Sequence, residues 1–251
     1  MTIFEITLFG ITIAPSYYGL MYAIWFLYGV WYLKKYSNYT SAQQESLFLY
    51  VFMGTILWGR LWYVLFYNFS LYLSNPWDIL KIWDGWMSFH GWFLWVVIAL
   101  YIFSLRQKVR FWKLADIIAM IIPVGLFFGR LGNYLNKELL WFEYTGPLAV
   151  VTVKWSYFPS PLLEATGQWA FIFILFYFIL KKPAFAGQFA ALFLILYGTI
   201  RTIIEIYIRT PDAQIGYYFG FITQWSILSV PMIAIWLGLY YYLRKQNYAT
   251  K

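Results

Sequence analysis

Three arginines, one histidine and a few carboxylates and amides are the residues here whose types and positions could do chemistry, because they sit in or beside long apolar runs. A charged group at the centre of a membrane helix costs about 2.5–3.5 kcal/mol on insertion scales, so each such residue is by default a functional candidate. Arg60, Arg130 and Arg201 lie toward the ends of three apolar runs, and His90, the only histidine, begins another in Ser88-Phe89-His90-Gly91. Snorkelling to the interface would explain any one arginine. Several together suit a converging cationic pocket, and the guanidinium fork pairs bidentately with phosphate oxygens. His90 reads as a base, as a donor to an anionic headgroup, or as a structural hydrogen-bonder. Asn133, Asn136 and Glu138 follow Arg130 closely, and Arg201 and Glu205 share a helical face, a spacing that lets Glu205 neutralise Arg201. Arg209-Thr210-Pro211-Asp212 ends its run in a Pro-Asp turn. No cysteine is present, which excludes a disulfide framework, a thiolate nucleophile and a cysteine metal site. Neither metal nor cofactor is expected.

The elements that must position these residues are membrane spans. Of 251 residues, 63% are hydrophobic and only 11% charged, against roughly a quarter charged in soluble domains. Apolar runs of membrane-spanning length recur near residues 13–33, 45–67, 87–105, 112–131, 162–180, 186–207 and 220–243. Residues 1–251 therefore read as one polytopic domain of the all-α integral membrane class, with about seven transmembrane helices. The net charge of +8 gathers at Lys34/Lys35, at Arg106 to Lys113, at Lys181/Lys182 and at Arg244 to Lys251, in every second gap between runs. That alternation is the positive-inside pattern, so the basic excess is topological and no nucleic-acid partner is expected. It places the N-terminus outside and the C-terminus in the cytoplasm, with the first run a retained helix because Met1 to Gly10 lacks a basic n-region. Arg60, Arg130, Arg201 and His90 then fall at one depth in the outer leaflet. The longest connection, residues 132–161, is a small extracytoplasmic loop region whose β-formers Leu148 to Val153 predict a strand or hairpin.

At these residues a family resemblance emerges. Phe128-Gly129-Arg130-Leu131-Gly132-Asn133-Tyr134 resembles the signature of bacterial prolipoprotein diacylglyceryl transferase. In family order it is joined by Tyr18-Gly19-Leu20, Gly59-Arg60-Leu61, Met87 to Gly91, Pro159-Ser160 with Glu164, Tyr197-Gly198 with Arg201 and Glu205, Pro211 to Gln214, and Leu228 to Met232. The resemblance implies transfer of the diacylglyceryl group of phosphatidylglycerol to the lipobox cysteine thiol in a prolipoprotein signal peptide. It implies residence in the bacterial inner membrane, with the bilayer itself as a partner. It also implies that Arg130 and Arg201 hold the departing phosphate and that His90 is the candidate base. Tyr18, Arg60, Asn133, Glu138, Glu205 and Arg209 would bind substrate and order the site. The stretch from Glu205 to Arg209 is one residue longer than the family's, and Phe158 and Pro161 depart from its pattern. The competing reading is a non-enzymatic membrane protein, either a transporter or an inactive lipid-binding relic.

Tryptophan is the chain's oddity. Trp58, Trp62, Trp86, Trp92, Trp95, Trp141 and Trp225 stand where the resembled family has glycine, and Trp25, Trp169 and Trp236 join them. Read as glycines, Trp58 and Trp62 would restore a Gly-x-x-x-Gly packing face, whereas indoles there should overpack the helices. A gene whose UGA codons mean glycine but were decoded as tryptophan explains the concentration on one substitution. Trp83 fits the pattern as tryptophan.

Overall fold

A computed structural model describes residues 6–8, 11–13, 17–66, 72, 76–80, 89–138, 142–152, 155–207 and 224–249. Within these, the side chains of 6–8, 11–13, 52, 54–63, 65–66, 80, 89–94, 205–206, 224–230, 232 and 248–249 lie outside the description. The chain divides into two compact units, residues 33–115 and residues 1–32 with 116–251.

The first unit is built on two helices, α2 (Ser41–Phe66) and α3 (Phe89–Arg106), which pack on each other. Helix α2 starts at Thr40 because a reciprocal capping box satisfies its first donors: Gln43 N–H donates to Thr40 Oγ1 at 3.3 Å and Thr40 N–H to Gln43 Oε1 at 3.0 Å. Leu47, Val64, Val96, Ala99, Leu100 and Phe103 form the core between them. Polar rungs fix the pairing, with Trp95 Nε1 donating to the Tyr50 carbonyl at 3.0 Å and Gln43 Nε2 to Gln107 Oε1 at 3.2 Å.

The second unit holds most of α1 (Tyr17–Tyr36) and α4 (Phe111–Leu135), with α5 (Ser160–Leu180), α6 (Gln188–Tyr207) and α7 (Gln224–Ala249). Helix α1 lies antiparallel on a glycine face of α4: a Cβ at Gly125 would meet the Trp25 ring at 2.4 Å, and one at Gly132 would meet the Tyr18 ring at 2.9 Å. Small residues thus let two aromatic side chains sit directly on the α4 backbone. Trp25 also donates its Nε1–H to the Ile121 carbonyl at 3.1 Å, so its polar edge is satisfied. Helix α5 enters through Pro159 and Pro161, then widens into π-helical turns over Ala165–Ala170 and Leu175–Leu180. It packs on α6 through Trp169 on Tyr197 at 5.5 Å and Phe176 on Phe189 at 4.8 Å, both stacked.

Two helical stretches among the described residues, Phe111–Leu135 and Ser160–Leu180, are long and apolar enough to cross a membrane, and Trp95–Arg106 and Gln188–Ile204 are shorter apolar segments. Large apolar side chains also face outward, among them Leu27, Leu49, Leu105, Phe178, Ile179 and Ile235. A water-facing surface would not carry such side chains on helix after helix.

Two short antiparallel hairpins accompany the helices. Residues Val150–Val151 and Ser156–Tyr157 pair antiparallel, so the β-forming stretch expected before Pro159 does form a hairpin. A second hairpin, Ile6–Leu8 on Ile11–Ile13, was not expected. It corrects the expected start of the first span at residue 13, since α1 begins only at Tyr17. Alternating Ile and Thr favour strand over helix, and Pro15 biases the residue before it away from helix.

Candidate functional site

The site is assembled where α1, α4, α5 and α6 of the second unit bring polar side chains together. Arg130 lies in the last turns of α4 and Arg201 in the C-terminal half of α6. Both reach one carboxylate, Glu164, near the start of α5. Its Oε2 accepts from Arg130 Nε at 3.0 Å and from Arg201 Nη1 at 3.3 Å. The Glu164 side chain is 1% exposed, Arg201 6% and Arg130 23%. Glu164 therefore lies at the bottom, and Arg130 is the member that still opens outward. Two cations against one anion leave one positive charge in a place with little water, where it attracts an anion more strongly than it would at a surface.

The end of α4 supplies the second half. The helix stops in a left-handed turn: Lys137 has φ 58° and the Glu138 N–H donates to the Asn133 carbonyl at 2.9 Å. This terminal loop folds the chain back on the last turn. Glu138 is thereby carried over Asn133 and opposite Tyr18 of α1. Tyr18 donates its hydroxyl proton to Glu138, Asn133 Nδ2 donates to the Tyr18 hydroxyl, and Asn133 Oδ1 accepts from Arg130 Nη1 at 3.4 Å. The links run from Arg201 through Glu164, Arg130 and Asn133 to Tyr18 and Glu138 without a break. Gly132, one residue before Asn133, is what allows the Tyr18 ring so close.

Of the residues singled out in the sequence, the structure brings together Tyr18, Arg130, Asn133, Glu138 and Arg201. Arg60 falls within α2, His90 within the first turn of α3, and Glu205 within α6. Their side chains lie outside the described residues, as does the whole of Arg209. Glu164 carries no expected role from spacing, yet it is the described carboxylate on which both arginines meet. Its signal was available: it is the one acidic residue in the apolar stretch Ser160–Leu180.

Apolar helices of membrane-crossing length, with two arginines joined on one buried carboxylate and an amide–phenol chain beside them, define a membrane-type protein with a cationic polar cluster. Residues 4–242 match the family described as prolipoprotein diacylglyceryl transferase, and the chain belongs to that family. Among its relatives, the phosphatidylglycerol–prolipoprotein diacylglyceryl transferase of Pasteurella multocida is 42% identical over 243 residues, 93% of this chain and 88% of that one. The enzyme of the same name from Pseudoalteromonas translucida is 40% identical over 249 residues, 93% of this chain and 90% of that one. That from Shewanella sp. strain ANA-3 is 38% identical over 251 residues, covering 96% and 92%.

Proposed function

We propose that the Arg130–Glu164–Arg201 cluster is the phosphate site at which this chain moves the diacylglyceryl group of phosphatidylglycerol onto the lipobox cysteine thiol of a prolipoprotein. In that reaction the thiolate sulfur attacks the terminal glyceryl carbon, the carbon–oxygen bond to phosphate breaks, and glycerol phosphate leaves with the bonding electrons. The thiol proton must go to a base, and negative charge accumulates on the phosphate oxygens. Preorganised cations aimed at that charge are the largest help a protein can give.

The observation that carries the reading is the meeting of Arg130 and Arg201, from two different helices, on a single carboxylate oxygen. Glu164 holds the two forks side by side before substrate arrives, so little is lost in ordering them when the phosphate binds. The net charge of the three groups is +1, which matches the single negative charge of a phosphodiester. Tyr18, Asn133 and Glu138 fix Arg130 from the other side and keep a polar path to the surface. His90 is the candidate base, and Arg60, Glu205 and Arg209 are further substrate contacts. These four rest on the family pattern.

The membrane arrangement belongs to the same reading. About seven spans, the N-terminus outside and the C-terminus in the cytoplasm satisfy the alternation of basic clusters. The reaction then faces the outer leaflet of the inner membrane, where a two-tailed lipid can enter sideways. The test is transfer of radiolabelled glycerolipid to a lipobox peptide. Arg130→Ala and Arg201→Ala should each lose about a hundredfold, as for removal of one preorganised donor. Arg130→Lys should not restore the rate, because a point charge cannot reproduce the fork. Wild-type transfer by the double alanine variant would refute the assignment.

A further inference from the structure

The described helices that carry the two arginines, α4 and α6, are tied together a second time, far from Glu164. The Asp116 side chain, on the second turn of α4, is buried at 5% exposure. Its Oδ2 accepts the Gly187 N–H at 2.7 Å, and its Oδ1 accepts the Phe189 N–H at 2.8 Å and the Ala190 N–H at 3.1 Å. These are the donors that the start of a helix leaves open, and a preceding Ser, Thr, Asp or Asn normally takes one of them. Here the residue before α6 is Gly187, at φ 91°, which has no side chain to offer. The cap comes from the neighbouring helix instead.

The lengths between the two ties match. From Asp116 to Arg130 is 14 residues, and from Gln188 to Arg201 is 13. At 1.5 Å per residue these are rises of about 21 Å and about 20 Å. Two helices running the same way are thus fixed at one end by Asp116, and their arginines come level at the other end on Glu164. A slide of one residue along either helix would move a guanidinium by about 1.5 Å and swing it by about 100°.

We propose that Asp116 is a positioning residue for the transfer reaction: it sets the height of Arg201 against Arg130, and so the spacing of the pair that receives the phosphate. The inference rests on the reading of that pair as the phosphate site. Asp116 touches no substrate; it acts through α6. A displacement of about 1 Å at a reacting centre costs on the order of a hundredfold in rate, so a small change at Asp116 is felt at the far end of the helix.

The absence of cysteine in the chain gives a clean measurement. Nitroxide labels at Phe127→Cys and Ile203→Cys, in the full-length protein in nanodiscs, report the height of α6 against α4 as a distance distribution. Two variants separate positioning from folding. Asp116→Glu keeps the capping charge but adds a methylene, and Asp116→Asn keeps the size but turns one oxygen into a donor facing N–H groups. Asp116→Glu should melt within a few degrees of wild type, shift the label distance, and lose about tenfold or more in kcat with a smaller change in KM. In an Arg201→Ala background the same substitution should cost less than about threefold, because the guanidinium it misplaces is gone. Asp116→Asn should broaden the distances and lose turnover in the folded fraction. Full turnover in both variants would overturn the proposal. So would an unshifted distance, or an equal loss with and without Arg201, which would make Asp116 merely structural. Wild-type turnover of Arg201→Ala alone would overturn the phosphate-site reading instead, a result told apart because it needs no change at Asp116.

Discussion

Glu164→Gln is the most informative single substitution at the candidate site. It keeps the shape of a side chain that is 1% exposed but removes the anion between two guanidinium groups. Two unit charges about 4 Å apart interact by about 4 kcal/mol at an effective dielectric constant near 20. Arg130 is 23% exposed, so solvent takes part of that, and about 2 kcal/mol per lost contact is a fair working figure. Two consequences follow. The variant should melt at lower temperature, since breaking a buried pair by removing one partner leaves uncompensated charge. It should also bind anions more tightly, because the site goes from +1 to +2. The product, a phosphate monoester close to a dianion, gains more from the extra positive charge than the phosphodiester substrate does. Product inhibition by glycerol phosphate should therefore strengthen by roughly thirtyfold, the factor for about 2 kcal/mol. Added glycerol phosphate should also raise the melting temperature of the variant more than that of wild type. The assays are a thermal melt in detergent and initial transfer rates against added glycerol phosphate. An unchanged melting temperature together with unchanged product inhibition would refute the charge argument.

The remaining predictions are simpler. Tyr18→Phe removes the hydroxyl that donates to Glu138 and accepts from Asn133; it should cost about 1–3 kcal/mol in stability or transition-state binding, read as a lower melting temperature or up to about a hundredfold in kcat/KM. Reporter fusions at Gln107 and Gly146 should report opposite sides of the membrane, and a same-side result would sink the proposed topology. The gene should carry UGA at Trp58, Trp62 and Trp92 and UGG at Trp83; UGG throughout would rule out the decoding explanation. The described indoles sharpen that last test: Trp169 is 2% exposed and stacked on Tyr197, and Trp25 is pressed on Gly125. In a genuinely tryptophan-bearing protein Trp169→Gly should destabilise by about 3–5 kcal/mol, whereas a protein selected with glycine there should gain.

Much of this site is legible in the sequence. Arg130 and Arg201 stand out because charge in an apolar run is expensive, and Asn133 and Glu138 are near Arg130 by chain connectivity alone. What the sequence could not supply was the partner across helices. The four-residue spacing of Arg201 and Glu205 offers a local ion pair, and local pairs are all that helical periodicity can see. The carboxylate that takes both arginines, Glu164, comes from another helix some forty residues earlier, and only packing brings it in. The role of Asp116 is hidden in the sequence for the same reason: its partners are backbone N–H groups seventy-odd residues away, and no side-chain pattern marks them. The N-terminal hairpin reads as helix in the sequence because Ile11-Thr12-Ile13 is as apolar as a helix start. The hairpin before Pro159 was readable because β-formers there are bounded by turn residues.

Transfer at the Arg130–Glu164–Arg201 cluster is best followed through both products of one reaction. Purified full-length protein is given phosphatidylglycerol labelled in its headgroup glycerol, together with a peptide carrying a lipobox cysteine. Glycerol phosphate should be released one-for-one with a diacylglyceryl mass gain on the cysteine, and Arg130→Ala/Arg201→Ala should abolish both together. Headgroup release without thioether formation, or paired products at the wild-type rate in the double variant, would contradict the assignment.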